Sequence, residues 1–410
     1  MSRLTDKTYE LLLDAFSCAL RGESVRWYRP IPRKELVGLI SLAREHSILP
    51  MLAEAAYDTI PFLEEPMLRR QLLHQAKSLT VIQAQRTADF LLFYEELAKR
   101  GLRPVVTKGI MCRRLYPHPD QRLSVDEDLL VREEDFPRLH SALMELGFKL
   151  VDPENFSPDE YEVSYTDDAR NLYIEVHKRF FEPDSAAYGD CNEPFIGAVE
   201  RAKDVHVGRT LIRTLESTDH LLYLICHAYK HFLYSGVGIR QVADMCMFAR
   251  RYADELDTEH IVASCERLHI GSFAAALFRI GREYLGFDTD IGFGEDPDPV
   301  PLLCDMLSGG LYGANDINRL HASTLTLGAV ASHRRGKRSS GALHSIFLPR
   351  NELVGRYPYL KKRPWLLPAA WMQRVWRYLF KRENGPVSPT ESLKIGRDRV
   401  ALFREYGIID

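Results

Sequence analysis

The sequence predicts an α+β protein, with a small mixed β-sheet unit embedded in a mostly helical chain. Three observations predict it. Apolar residues recur at helical spacing through the first 100 residues and again after residue 216. Between them, from Gly101 onward, short β-branched runs alternate with helical stretches over about 80 residues. The composition is that of an ordinary globular chain, 410 residues of which 45% are hydrophobic and 27% charged. It excludes a disordered, collagenous or disulfide-stapled protein. At roughly 150 residues per domain, two or three packed units are expected. The chain divides into a helical N-terminal region (1–100), an α/β core (101–215), a helical domain (216–330) and a basic, aromatic C-terminal extension (331–410).

The elements follow in order. Thr5–Leu20 sets Leu11, Leu12, Ala15, Phe16 and Ala19 at helical spacing, with Thr5 or Asp6 as cap. Further helices are expected over Arg33–His46, Met67–Leu73 and Val81–Arg100. Arg103–Thr107 reads as a strand, followed by Lys108-Gly109 and a helix over Ile110–Tyr116 that Pro117 and Pro119 end. Leu123–Val131 reads as a strand and Glu133–Leu146 as a helix closed by Gly147. Tyr161–Tyr165 and Asn171–Phe180 read as two more strands. Ser217 to about Gly286 is helical. The Gly-, Asp- and Pro-rich stretch Gly286–Pro301 is a long loop. Residues 302–330 are helical again, and His333–Ser340 forms a basic loop.

Seven cysteines lie scattered without a CxxC, which fits reduced thiols and a cytoplasmic protein rather than a disulfide framework or a cysteine zinc knuckle. The N-terminus has no apolar h-region, so a signal peptide is not expected. No run of about 18 uncharged apolar residues predicts a transmembrane helix. The net charge of −3 hides an asymmetry. Ser332–Val400 holds 16 Lys and Arg against 4 Asp and Glu.

The segment that points to chemistry is Lys108-Gly109 followed by Arg122-Leu-Ser-Val-Asp126-Glu127-Asp128-Leu-Leu-Val131. Alternate residues of a strand share a face, so Asp126 and Asp128 point one way and Glu127 the other. Two carboxylates this close repel, and a divalent cation is the usual reason to place them together. A solvated acidic pair on a strand edge is the competing reading. Gly109 opens a helix directly after a strand, where backbone N–H groups favour phosphate, and Lys108 adds a point charge. Tyr173-Ile-Glu175-Val-His177 puts a third acid on a later strand, with Glu175 and His177 on one face. Three carboxylates arranged in this way can hold two cations about 4 Å apart, which clamp the attacking and leaving oxygens of a phosphoryl transfer. There is no Walker A sequence and no G-x-G-x-x-G, which argues against P-loop and Rossmann classes.

A Gly-led helix, Asp-x-Asp on a strand and an acid on a following strand resemble the polymerase-β-like nucleotidyltransferase superfamily. More closely, KGIMCRRLYPHPDQRLSVDEDLLV resembles the bacterial "uncharacterised nucleotidyltransferase" family, as do IEVHKRF, DHLLYLICHAYKH with Arg240 and Asp244, and the late FLPRNELVGRYPYLKKRPWLLPAAWMQRVWRYL. The resemblance covers roughly residues 80–380. It implies that Asp126 and Asp128 bind Mg²⁺ (or Mn²⁺), that Glu175 is the third acid, and that Lys108 and Gly109 approach the triphosphate of an NTP. The implied reaction moves a nucleoside monophosphate to an acceptor that the sequence does not name. There are two departures. Ile110 stands where the superfamily often has Ser, and Glu127 stands where the residue between the aspartates is usually apolar. An exposed back face would carry Glu127 at no cost. A buried one would mean strain or a shifted register.

Other residues keep open readings. Arg122 shares strand parity with Ser124 and Asp126, and fits either a phosphate contact or a salt bridge that holds the carboxylates. His220, His227 and His231 share a helix face. They fit a zinc site, a polar lining of the acceptor cleft, or packing. His177, His227, His231, Arg240 and Asp244 are the acceptor-side candidates. Trp365, Trp371 and Trp376 sit among Arg363, Arg374, Arg377, Lys381 and Arg382. Residues 361–382 fit a helix packed on the body or a peripheral contact with an anionic membrane. Nucleic acid is the less favoured partner. Two other functions stay open: a nucleotide-binding or scaffold protein without turnover, and an interfacial protein acting through its basic aromatic segment.

Overall fold

The structure is a computed structural model that describes residues 6–27, 29–311, 317–334, 357, 363–380 and 389–409. Residues 335–340 of the expected basic loop, and Lys361, Lys362, Lys381 and Arg382 of the aromatic segment, fall outside the described residues. So do the side chains of Arg374, Trp376 and Arg377.

The N-terminal helices are α1 (Lys7–Leu20), α2 (Arg33–Glu45), α3 (Leu49–Ala56), α4 (Ile60–Leu63) and α5 (Pro66–Lys99). Asp6 caps α1, its Oδ1 accepting from the Thr8 amide at 2.8 Å. The two helices expected over Met67–Leu73 and Val81–Arg100 are one 34-residue helix, α5, with Pro66 in its first turn. At 1.5 Å per residue it is about 51 Å long. Its two ends serve different cores. Leu68, Leu72 and Ala76 pack with α1–α3, whereas Phe90, Phe93, Tyr94 and Leu97 pack against the sheet.

The sheet has seven strands: β1 (Val105–Thr107), β2 (Asp126–Leu130), β3 (Lys149–Leu150), β4 (Glu162–Asp167), β5 (Leu172–His177), β6 (Lys203–Val207) and β7 (Thr210–Thr214). Their order is β3-β4-β5-β2-β1-β7-β6. β2 runs parallel to β5 and β1 parallel to β7, while the remaining pairs are antiparallel, so the sheet is mixed as expected. The β6–β7 hairpin was not foreseen. It turns at Gly208, which takes φ +60°. Helices α6 (Gly109–Arg113), α7 (Phe136–Glu145) and α8 (Ala198–Arg201) lie within this region.

One sheet face carries Val106, Leu129, Ile174 and Val176 against α5 and α7. The other carries Val105 and Leu130 into the large helical core. That core joins α1–α4 to α9 (Ser217–Tyr234), α10 (Ile239–Arg251), α11 (Thr258–Arg267), α12 (Gly271–Leu285) and α13 (Val300–Gly309). Residues 286–299 form the expected loop. Helices α14 (Ile317–Arg334), α15 (Leu367–Phe380) and α16 (Pro389–Glu405) follow. On α15 and its lead-in, Trp371 packs with Tyr357 and Ala370, while Trp365 and Met372 are exposed. All seven cysteines are free thiols. No described helix is long and apolar enough to cross a membrane.

The back face of β2 is buried, yet its register is regular. Glu127 is accommodated by partners instead of by exposure. Its Oε2 accepts from the Ile110 amide at the start of α6 (2.8 Å), and its Oε1 accepts from Arg113, which also donates to Ser124 Oγ. A buried carboxylate is tolerable only with such an ion pair and hydrogen bonds. Gly109 makes the arrangement possible: at φ +28°, a Cβ there would lie 2.0 Å from Glu127 Oε2. Gly109→Ala should therefore lower the unfolding free energy by about 2–4 kcal/mol in urea titration, through overpacking and backbone strain. A change within about 0.5 kcal/mol would contradict the packing described.

His46 and His220 are buried and neutral. Burial lowers His46 to about 4 and His220 to about 3. Their folded values lie below the unfolded value of about 6.5, so the unfolded chain binds more protons as pH falls. Stability should be full above about pH 6.5 and decline from there toward pH 4. In denaturant titrations from pH 7 to 5, His220→Asn should show a smaller decline than wild type. Equal declines would refute the assignment.

Candidate active site

Register places the acidic residues together. Asp126 pairs with Tyr173, Asp128 with Glu175 and Leu130 with His177 across parallel strands β2 and β5. Thr107 of β1 pairs with Asp128 from the other side. Asp126, Asp128, Glu175 and His177 thus share the sheet face that looks toward α9. Asp128 and His177 are buried, whereas Asp126 and Glu175 are partly open, their side chains 26% and 23% exposed.

The turn from β1 to α6 delivers a cation to this face. Lys108 has φ +22°, unusual for a residue with a side chain, and Gly109 follows at φ +28°. Strain of this kind persists where the surroundings fix it. The Lys108 ammonium stands 3.0 Å from Asp126 Oδ2 and 3.0 Å from Asp128 Oδ2. Burial alone would push both carboxyls up. Lys108 overrides it, so both lie below the usual range and are ionised. Asp128 Oδ2 is buried and has no hydrogen bond. At Glu175 burial, then the Asp128 charge, outweigh the pull of Lys108 and push it up to about 7.

α9 closes the face from above. Lys108 Nζ donates to His227 Nε2 at 3.1 Å, and His231 Nε2 lies 3.2 Å from the same atom. Burial, then the Lys108 charge, holds both imidazoles well below their usual pKa, so His227 is the neutral acceptor that a lysine partner needs. On β5, His177 Nε2 is 3.2 Å from Asp128 Oδ1 and 3.8 Å from Glu175 Oε2. Its Nδ1 is 3.6 Å from Glu162 Oε2, and Lys230 Nζ stands 3.9 Å from that same oxygen.

The structure does not bring the three α9 histidines together as a zinc site. His220 lies apart, against Thr214 Oγ1 (3.4 Å) and the Phe248 ring (4.7 Å). Among the described residues, the group whose donor atoms converge as metal ligands do is Asp128, Glu175 and His177, all within 4.8 Å of one another. Asp126 lies beside it, on the far side of Lys108.

Arg122 resolves its two readings differently from either. It pairs in bidentate fashion with Asp244 of α10, Nε to Oδ1 at 3.1 Å and Nη2 to Oδ2 at 2.6 Å. Tyr116 also donates to Asp244 (2.7 Å), and Arg240 donates to the Leu123 carbonyl. These four residues brace the approach to β2 against the helical core, outside the converging donors. The Gly109-led helix is five residues long, and its Ile110 amide is given to Glu127. Ile110 itself is buried apolar core. From the N-terminal side, Gln83 Oε1 accepts the Ser124 amide (2.7 Å), and Arg86 donates to the carbonyls of Ser124 and Asn171.

The sequence reading missed Glu162, Arg113, Tyr116, Gln83 and Arg86. Glu162 carried a signal: it begins the alternating run EVSYT, one strand before Glu175. The others act across non-local pairings and leave no local pattern.

This arrangement can be set beside known proteins. No curated protein and no solved structure matches the chain. A family model described as "Uncharacterised nucleotidyltransferase" matches residues 34–286, more than half of the chain. That span includes β1–β7, Lys108, both aspartates, Glu175 and α9. The α+β architecture fits a nucleotidyltransferase domain, and the chain belongs to the uncharacterised nucleotidyltransferase family.

Proposed function

We propose that the protein transfers a nucleoside monophosphate from an NTP to an acceptor hydroxyl or phosphate, releasing pyrophosphate. One observation carries this reading: Asp126, Asp128 and Glu175 converge on a single sheet face with Lys108 between the aspartates. The acceptor oxygen would bond to the α-phosphorus as the bond to the β-phosphate oxygen breaks. The acceptor proton leaves with solvent or a site base.

The carboxylates fit a divalent cation. They are oxygen donors, Asp128 and Glu175 converge with His177 so that one donor atom of each lies within 4.8 Å of the others, and hard cations take carboxylate ligands. Asp128 and Glu175 would hold Mg²⁺ or Mn²⁺, with Asp126 beside them across Lys108. When bound, the cation neutralises charge on the triphosphate and steadies the leaving group. With the Ile110 amide committed to Glu127, phosphate contact falls to the Lys108 ammonium. His227 and His231 line the side opposite the sheet, and their neutral rings can hydrogen-bond an acceptor without adding charge. Arg122, Asp244 and Arg240 position β2. The barrier is lowered by fixed charge rather than by a covalent intermediate.

Isothermal titration of each NTP tests the reading. Wild type should bind at least one NTP in the presence of Mg²⁺ or Mn²⁺, and chelation with EDTA should abolish the heat. Asp126→Ala/Asp128→Ala should weaken binding at least tenfold while keeping the wild-type circular dichroism spectrum. Folded wild type that binds no NTP would overturn the proposal. Equal binding by the double variant would remove these aspartates from it.

A further inference from the structure

Resting on the reading above that the site uses a divalent cation, we propose that it is built for one such ion, not two. We assign that ion to Asp128, Glu175 and His177, with the Lys108 ammonium standing in for the second. The imidazole donor makes this a site for a first-row transition-metal dication in preference to Mg²⁺.

The donor atoms have the spacing that a single ion requires. Asp128 Oδ1 to His177 Nε2 is 3.2 Å, His177 Nε2 to Glu175 Oε2 is 3.8 Å, and the three residues' donors all lie within 4.8 Å of one another. Ligand bonds of about 2.1 Å place donors about 3.0 Å apart in cis positions and about 4.2 Å apart in trans positions. The observed set therefore needs only small adjustment to close on one ion. Register enforces the cluster, because Asp128 and Glu175 are direct cross-strand partners and His177 is the next residue on the same face.

His177 is oriented as a ligand. Glu162 Oε2 stands 3.6 Å from Nδ1, on the ring edge away from the cluster. In the metal-free chain Nε2–H donates to the ionised Asp128 Oδ1 and Nδ1 makes no hydrogen bond, so an ion would take the place of the Nε2 proton, and Glu162 is the carboxylate nearest to receive that proton on Nδ1. Lys230, 3.9 Å from the same carboxylate, helps to hold it in place.

The second position is already filled by charge. Asp126 Oδ2 and Asp128 Oδ2 each lie 3.0 Å from the Lys108 ammonium, which His227 also accepts from. A cation bridging both aspartates through these oxygens would have to displace that ammonium from a buried pocket. The Asp128 oxygens thus divide the work, Oδ2 facing Lys108 and Oδ1 facing the His177 side. A set of two carboxylates and one imidazole is softer than the all-oxygen shell that suits Mg²⁺.

The test is Mn²⁺ titration of the full chain without nucleotide, followed by electron paramagnetic resonance and calorimetry. Wild type should bind one Mn²⁺ per chain, at least tenfold more tightly than Mg²⁺. Electron spin-echo modulation should show a coupled imidazole nitrogen. His177→Gln should lose that nitrogen signal and most of the preference for Mn²⁺, and Lys108→Gln should admit a second Mn²⁺. Two Mn²⁺ on wild type, no nitrogen coupling, or an unchanged preference in His177→Gln would each overturn the proposal. The wild-type stoichiometry and nitrogen signal stand even if a variant fails to fold. NTP titration of the same samples keeps the two readings apart. Nucleotide binding with two cations defeats the one-ion site alone, and one nitrogen-coupled Mn²⁺ without nucleotide binding defeats the nucleotide reading alone.

Discussion

The structure depends on keeping like charges together on one sheet face. Strand parity forces Asp126 and Asp128 to the same side, and parallel pairing adds Glu175 beside Asp128. Two like charges about 4 Å apart repel by roughly 4 kcal/mol at an effective dielectric of about 20. The Lys108 ammonium offsets that repulsion, equidistant from both aspartates and held from above by neutral His227. Delivering the ammonium there requires a positive φ at Lys108 and a glycine after it. The strained turn, the parallel β2–β5 pair and the burial of α9 over the face are parts of one electrostatic arrangement.

The same logic operates on the opposite face of β2. Glu127 is as buried as its neighbours, and it survives because Arg113 and the first turn of α6 supply the opposite charge and a donor. β2 is thus charged on both faces, and both faces take a counter-charge from the short segment that follows β1. That segment holds the helix start through Glu127 and the aspartates through Lys108. Farther out, Arg122–Asp244 and the Arg240 bond to Leu123 tie the approach to β2 into the helical core, and Gln83 and Arg86 hold it from α5.

Local periodicity made much of this legible. The alternation in Ser-Val-Asp-Glu-Asp-Leu-Leu and in Tyr-Ile-Glu-Val-His placed the acids correctly by face, and β2, β5 and α7 fall close to where the pattern put them. What failed was whatever depends on distant partners. The Arg122 partner, a carboxylate 122 residues away, leaves no local sign beside it. Glu127 looked like a liability because its counter-ion, 14 residues earlier, sits on a different element. The periodicity predicts two helices where α5 is one because its middle exposes Val81 and Ile82, so the apolar stripe fades there. The β6–β7 hairpin carries only a short local sign, Val-His-Val-Gly before Thr-Leu-Ile.

The central claim is that the α9-facing side of β2 and β5 receives a nucleotide triphosphate together with a divalent ion. Anomalous diffraction at the manganese edge, on crystals grown with Mn²⁺ and a non-hydrolysable NTP analogue, tests it most directly. The account predicts a manganese peak in contact with Asp128 and Glu175, with the triphosphate lying against Lys108. Nucleotide bound elsewhere on the chain, or manganese remote from those two carboxylates, would contradict it.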